Sequence, residues 1–444
     1  MSSDLFIIGA SGTKAYRAAM GAISENISNA STAGYTRRTV STRESAVSAS
    51  TQVEYKPQAS FGGVEVAGVN RANDPYLDAT ARLTGTALAS ANARLRWQTD
   101  IETALNDDDR GVGHLMSDMY GSITQLAANP SDPTLRTNML FGIEQTVNAF
   151  NLSAQDLQTV KSGIASTAQN NVSTLNDAMG ELARINTNLL RTTPGSSNEA
   201  QLLDARDTAL STITQQLDVS ITFGSKGTAQ VSYNGTTVVD GPTASTFSVA
   251  ANADGTLALS LDGNPATAPA SGTIGGLFQS AGVAAQRSAS LDTLAAQFAT
   301  DLNNWHAQGL TDAGAAGGAL VSGTTAATLT QAITNTADIA AKSADGRLNG
   351  NLINISSIRG TGSVEQGWTA LVAANGNMLN ATKAEQTAAE SRDTQARQAR
   401  DSVSGVDLDQ EAADLLRVQQ AYSGCAKVIQ VARETFDAIM NIMN

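Results

Sequence analysis

The chain has 444 residues, of which 28 are Lys or Arg and 41 are Asp or Glu, for a net charge of −13. Its length leaves room for about three domains at roughly 150 residues each, and the acidic balance argues against a duplex-wide nucleic-acid footprint, which needs a concentrated basic face. A single cysteine, Cys425, excludes an internal disulfide and a cysteine-based zinc site, while two histidines, His114 and His306, leave little for histidine-dependent chemistry.

Proline is absent before Pro57 and after Pro269, so both ends are free to be helical. The N-terminal run carries small or apolar residues at Leu5, Ile8, Gly12, Ala15, Ala19 and Ala22, a three-four spacing that predicts a helix with a narrow seam. A turn is expected near Asn29 to Tyr35. The stretch 61–69 alternates at Val64 and Val66 and reads as a short strand. Asp74-Pro75 and Asp132-Pro133 each place a capping acid before a proline, which predicts helices from about 75 to 105 and from about 133 to 191. Between them a helix ends before Asn129-Pro130. Asn198, with Gln201 three residues on, is the expected cap of a further helix to about Leu217.

The pattern then turns to β. Residues 219–223, 228–233, 236–239 and 256–261 alternate, and Asn234-Gly235 joins the second and third as a two-residue hairpin. Helix returns at Leu277 with a seam through Ala281, Ala284, Ser288, Leu291, Ala295, Phe298, Leu302 and Trp305. Residues 310–325 read as loop and 366–402 as helix, broken by Gly405. The last seam runs through Leu408, Glu411, Leu415, Val418, Tyr422, Cys425, Ile429, Ala432, Phe436, Ile439 and Met443, apolar or aromatic at every position but Glu411. From Leu408 to Asn444 it makes a rod of about 55 Å. Seams at both ends are expected to pair with each other.

The fold class is therefore mainly α with a small β insert: terminal helices pairing as a coiled-coil-like rod, a long-helix bundle, and an inserted antiparallel β domain. The expected divisions are 1–60 and 401–444 for the rod and an extended loop, 61–217 and 276–400 for the bundle, and 218–275 for the insert.

Chemistry-bearing patterns are weak. Gly9-Ala-Ser-Gly-Thr-Lys14 fails the spacing of a phosphate loop. Asn106-Asp-Asp-Asp109 lacks the acid that a calcium loop needs at its twelfth position, where Ser117 stands. His306, beside Trp305, has no nucleophile arrangement with it and reads as structural, and Cys425 lies on the terminal seam as a small apolar side chain. No catalytic, cofactor or metal residue is expected. No segment approaches 18 consecutive apolar residues, and Leu5 to Ile8 is too short for a signal-peptide core, so neither a membrane span nor a cleaved signal is expected.

Asn26-Ile-Ser-Asn-Ala-Ser-Thr-Ala-Gly-Tyr35 resembles the N-terminal signature of the flagellar axial proteins, with Asn26, Asn29, Gly34 and Tyr35 in place and Ala33 where that family usually has proline. The segment 406–413, Gln419-Gln-Ala-Tyr422 and Ala426-Lys-Val-Ile429 are similar to its C-terminal signature. In the interior, Leu126-Ala-Ala-Asn-Pro130, Arg136, Phe150-Asn151, Asn304-Trp-His306 with Gly309, Asp312 and Gly314, and Thr336-Ala-Asp-Ile-Ala340 resemble the helical domain of the hook-associated protein 1 family.

That resemblance implies a structural, non-enzymatic subunit of the hook–filament junction, assembled from exported monomers on the hook tip. It implies hook protein, hook-associated protein 3 and copies of the chain in a ring as partners, a cytoplasmic export chaperone on the C-terminal helix, and an extracellular place in the flagellum reached by type III export. On that reading the rod forms the inner layer, the bundle the middle one and the insert the exposed one, and assembly falls to the seam, Leu5, Ile8, Ala15 and Leu408 with, above all, Leu415, Val418, Tyr422, Ile429, Phe436 and Ile439. The small-residue seam buries little area, so the termini are expected to order only on assembly. A hook or distal rod subunit and a secreted adhesin using the β insert are the alternatives.

Overall fold

The computed structural model describes residues 2–45 and 62–443; most of the expected extended loop lies outside them. Helix α1 (Ser2–Ser28) turns into strand β1 (Arg38–Glu44), which pairs antiparallel with β2 (Val64–Arg71) in a two-stranded ribbon. The ribbon crosses the expected 60/61 division, so β2 is structurally continuous with the terminal segment.

Helix α2 (Pro75–Ala104) starts at Asp74, whose carboxylate accepts from the backbone N–H groups of Tyr76 and Leu77. After α3 (Val112–Ala128), Asp132 opens α4 (Pro133–Arg191) in the same way. The 59 residues of α4 make a strut of about 90 Å. Helix α5 (Ser197–Gln216) is capped by Ser196 rather than Asn198. Pro194-Gly195 turns the chain, Ser196 Oγ accepts from Glu199 N–H, and the Glu199 carboxylate reaches back to Gly195 N–H; Asn198 instead donates to Thr192 Oγ1.

Strands β3 (Ser220–Phe223), β4 (Ala229–Tyr233), β5 (Thr236–Asp240) and β6 (Thr243–Ala244) form one antiparallel sheet. A second holds β7 (Phe247–Ala251), β8 (Leu257–Leu261) and β9 (Asn264–Ala266). Asn234 and Gly235 have φ of 46° and 82°, the left-handed pair that closes a two-residue hairpin. These strands do not enclose a core of their own. Val231, Tyr233, Val239, Phe247 and Leu259 are buried together with Leu175, Met179, Leu182 and Leu189 of α4 and Leu210 of α5. So short a β segment has too little interior to exclude water alone and uses the helices as its second layer.

Helix α6 (Gly272–Ala307) begins before Leu277. An irregular stretch follows, holding the small pair β10 (Val321–Ser322) and β11 (Thr330–Gln331) and the short helix α7 (Gly350–Ile353). Helices α8 (Val364–Ser404) and α9 (Leu408–Met443) complete the chain. The main core joins α2, α3, α6, α8 and the first half of α4 through Trp97, Phe150, Phe298, Trp305 and Trp368.

Position along α4 orders the molecule. Near its end, Gly195 C=O accepts from Val69 N–H of the ribbon. The β insert flanks the neighbouring half, through Asn176 to Phe247, Asn186 to Ala229 and Lys226 to Leu190. At the opposite end the irregular stretch is tied to Arg136, Leu140 and Asn151. The insert thus packs on the half of α4 nearer the ribbon, because it needs the α4–α5 surface for its core, and the irregular stretch packs on the other half.

Candidate functional site: the terminal rod and its joint

Helices α1 and α9 pack antiparallel along their length. Their approach depends on missing side chains. A Cβ on Gly12 would stand 2.5 Å from Cys425 Sγ, and one on Gly9 2.6 Å from Ile429 Cγ1. Ala15, Val418 and Ala432 are buried, while Ile8, Leu415, Tyr422, Cys425 and Ile429 are half-buried. Leu5, Leu408, Phe436 and Ile439 are exposed. Two helices cover only one stripe of each other, and the register that sets Asn26 beside Glu411 and Gly12 beside Cys425 carries the last two turns or so of α9 past the start of α1. Phe6, Ile7, Leu416, Val431 and Met440 add to the uncovered apolar surface.

Glu411, the one polar position of the seam, is 1% exposed. Its Oε2 accepts from Asn26 Nδ2 at 3.0 Å and its Oε1 from Arg37 Nε at 2.6 Å. Asn26 is fully buried and fully used: Nδ2 also donates to Arg38 C=O, and Oδ1 accepts from Arg38 N–H and Tyr35 Oη–H. Burial pushes the Tyr35 hydroxyl up to about 12, so it stays protonated and donating. Asn29 holds the end of α1 by donating to Glu25 C=O and accepting from Thr32 Oγ1–H.

The same turn meets the bundle. Gly34 has φ of +80°, and a Cβ there would lie 2.5 Å from Thr208 Oγ1 of α5, so conformation and space both demand glycine. Asp204 of α5 accepts from Arg38 at 2.7 Å and from Arg71 at 2.8 Å, and Arg71 also reaches Asp207 at 2.7 Å. With Arg37 N–H donating to Ser404 C=O, the rod, the ribbon and α5 meet in one ionic joint.

At the far end, His306 is buried with Nδ1 2.7 Å from Gly318 C=O and Nε2 accepting from Ala340 N–H at 2.8 Å. This pattern fits the neutral ring protonated on Nδ1, and burial lowers its pKa. Gly309 lies against Ala340 C=O and Asn351. Asn304 is exposed; its neighbour Asn303 binds Leu320 N–H, Val321 N–H and Val321 C=O. Arg136 grips Asp312 through two bonds of 2.7 and 3.0 Å. Asp107 of the acidic run accepts from Gly113 N–H at the start of α3. Among the described residues no group of His, Cys, Asp or Glu is arranged to hold a metal ion, and no helix is long and apolar enough to cross a membrane.

A chain whose two ends pair into a rod, jointed to a helical body, has the architecture of a bacterial flagellar axial protein. The family model for the flagellar hook-associated protein FlgK helical domain matches residues 98–321, and that for the flagellar basal body rod FlgEFG protein C-terminal region matches 397–442. Flagellar hook-associated protein 1 of Bacillus subtilis is 25% identical, over 97% of this chain and 96% of the relative. That of Escherichia coli is 24% identical, over 97% and 98%. The structure of the flagellar hook junction protein FlgK from Burkholderia pseudomallei superposes with a TM-score of 0.64 at 14% identity, covering 73% of this chain and all of that one. The chain belongs to the flagellar hook-associated protein 1 family, the structural subunits of the hook–filament junction.

Proposed function

We propose that the rod is the assembly element by which this subunit joins the hook below to the filament side above. The observation that carries this is the interrupted apolar stripe left uncovered on the rod, densest where Leu5, Phe6 and Ile7 of α1 lie near Val431, Phe436, Ile439 and Met440 of α9 and continued by Leu416 and Leu408. Neighbouring subunits cover that stripe by head-to-tail contacts, the kind that build helical tubes. The seam residues from Leu5 to Ile439 named above serve this packing. Residues 1–60 and 401–444 form the inner layer; 61–217 and 276–400 form the body, whose strand β2 pairs with that layer, and 218–275 its β flank.

On this reading the specific partners are hook protein, hook-associated protein 3 and other copies of the chain in a ring. An export chaperone covers α9 before assembly, and the monomer travels by the flagellar type III route without a cleaved signal to an extracellular position. The outer ends of the rod, away from the Glu411 joint, order fully when neighbours complete their core, and the subunit has no catalytic role. Deletion of the coding gene, with electron microscopy of the cell surface and an assay for flagellin in the medium, tests the reading. Completed hooks without filaments and with flagellin lost to the medium are expected. Missing hooks would move the chain to the rod or hook, and normal filaments would reject axial assembly.

A further inference from the structure

Arg287 of α6 is 7% exposed, and among the described residues no carboxylate pairs with it. Its Nε makes one long contact of 3.4 Å to Asn375 Oδ1 of α8, and among the described residues neither Nη group has a hydrogen-bond partner, although both keep some accessible surface. The adjacent Asn375 Nδ2 is also buried without an acceptor. The other arginines this deeply buried each hold a carboxylate: Arg38 has Asp204, Arg136 has Asp312 and Arg206 has Asp207. In a chain with 41 acidic residues against 28 basic ones, an arginine buried without an acid is the exception that requires a reason.

The side chain borders an open, shallow cavity of about 340 Å³ between α6 and α8, lined by Ser290, Thr293, Leu294, Gly367 and Leu371. A guanidinium matches a carboxylate through two parallel bonds, and Ser290 offers a hydroxyl on the same wall. We propose that Arg287 and this cavity form a carboxylate-binding site, left open in the isolated chain. Its ligand is either an acidic side chain of an adjacent flagellar subunit or a free small carboxylate. Burial lowers the Arg287 pKa, in keeping with a cation held for a missing anion.

The subunit-borne source rests on the axial reading above; the free-anion source does not, and two arms separate them. In the first, the full-length chain is melted in sodium acetate and in sodium chloride at equal ionic strength, as wild type, Arg287→Lys and Arg287→Met. A free-carboxylate site raises the wild-type melting temperature in acetate by about 2 °C or more, leaves Arg287→Met unmoved and gives Arg287→Lys an intermediate shift.

In the second arm, wild type and Arg287→Met are co-expressed, and their ratio in isolated hook–basal bodies is compared by mass spectrometry with that in the exported pool. A subunit-borne carboxylate leaves Arg287→Met under-represented about tenfold, although in chloride this variant melts close to wild type because it breaks no ion pair within the chain. Parity in hook–basal bodies together with no acetate-specific shift overturns the proposal. If neither form enters the flagellum, the axial reading has failed and the acetate arm alone decides.

Discussion

Asn26 donates its side-chain amide to Glu411 across 3.0 Å, although the two stand 385 positions apart. The bond joins the last turns of α1 to the start of α9 at the point where the ribbon leaves. Glu411→Ala removes the acceptor for Asn26 and Arg37 together. Stranding buried donors costs about 2–3 kcal/mol, reduced here because Arg37 is partly exposed and recovers water. We expect α9 to be cleaved faster in limited proteolysis while the thermal unfolding of the helical body stays put. Equal protection of α9 in both proteins would remove Glu411 from the joint.

Gly12 and Cys425 make a second testable contact. Gly12→Ala sets a methyl against Cys425 Sγ, an overpacking that costs about 1–3 kcal/mol. Removing the sulfur with Cys425→Ala leaves the nearest atom, Cys425 Cβ, at 3.5 Å, an ordinary contact. In complementation of a deletion strain, Gly12→Ala alone should lower filament number, and the double variant should recover most of it. Additive losses would show that the helices do not meet at this pair during assembly.

His306 gives a pH dependence whose sign is fixed by burial. Its folded pKa lies below the ordinary 6.5, so the unfolded chain takes up a proton first. Its contribution is complete above about pH 6.5 and is lost as pH falls through that value toward the folded pKa. His306→Gln keeps one donor and one acceptor without titrating there. Between about pH 7 and pH 5 the wild-type melting temperature should fall more steeply than that of the variant. Parallel profiles would assign the acid loss to other groups.

Arg136 and Asp312 fasten the irregular stretch to α4. Arg136→Ala loses Asp312, Pro130 C=O and Thr336 C=O together and should cost about 2–3 kcal/mol. Asp312 is half exposed, but Asp312→Ala leaves the buried Arg136 with only the Pro130 and Thr336 carbonyls and should cost about 1–2 kcal/mol. The double variant should resemble Arg136→Ala in denaturant melts, since the pair shares one interaction. Simple addition of the two losses would mean that the residues act separately.

Much of this architecture is local and was therefore legible. Asp-Pro starts, Asn234-Gly235 and the break at Gly405 are short-range signals, and they located α2, α4, the β4–β5 hairpin and the end of α8. What escaped depends on distant partners. Strand β1 is a polar segment whose form comes from its ladder with β2. Glu411 stood out as a lone acid on an apolar seam, the mark of a register-fixing polar position, but its partners lie at the other end of the chain. Asn303 carries no periodic signal: it serves the backbone near residue 320, and its exposed neighbour Asn304 belongs to the more familiar motif. The packing of the insert on α4 was hidden because alternation reports that one face is covered, not by what.

Helix α4 runs unbroken through both hydrophobic cores, with no proline after Pro133. A twist applied at its Gly195 end therefore has no hinge within the body at which to dissipate. The body turns as one lever, and compliance is confined to the joint, where Asp204 holds Arg38 and Arg71 by ionic contacts rather than by continuous helix. A junction subunit built this way is stiff along its trunk and has its non-helical connection to the rod at its neck.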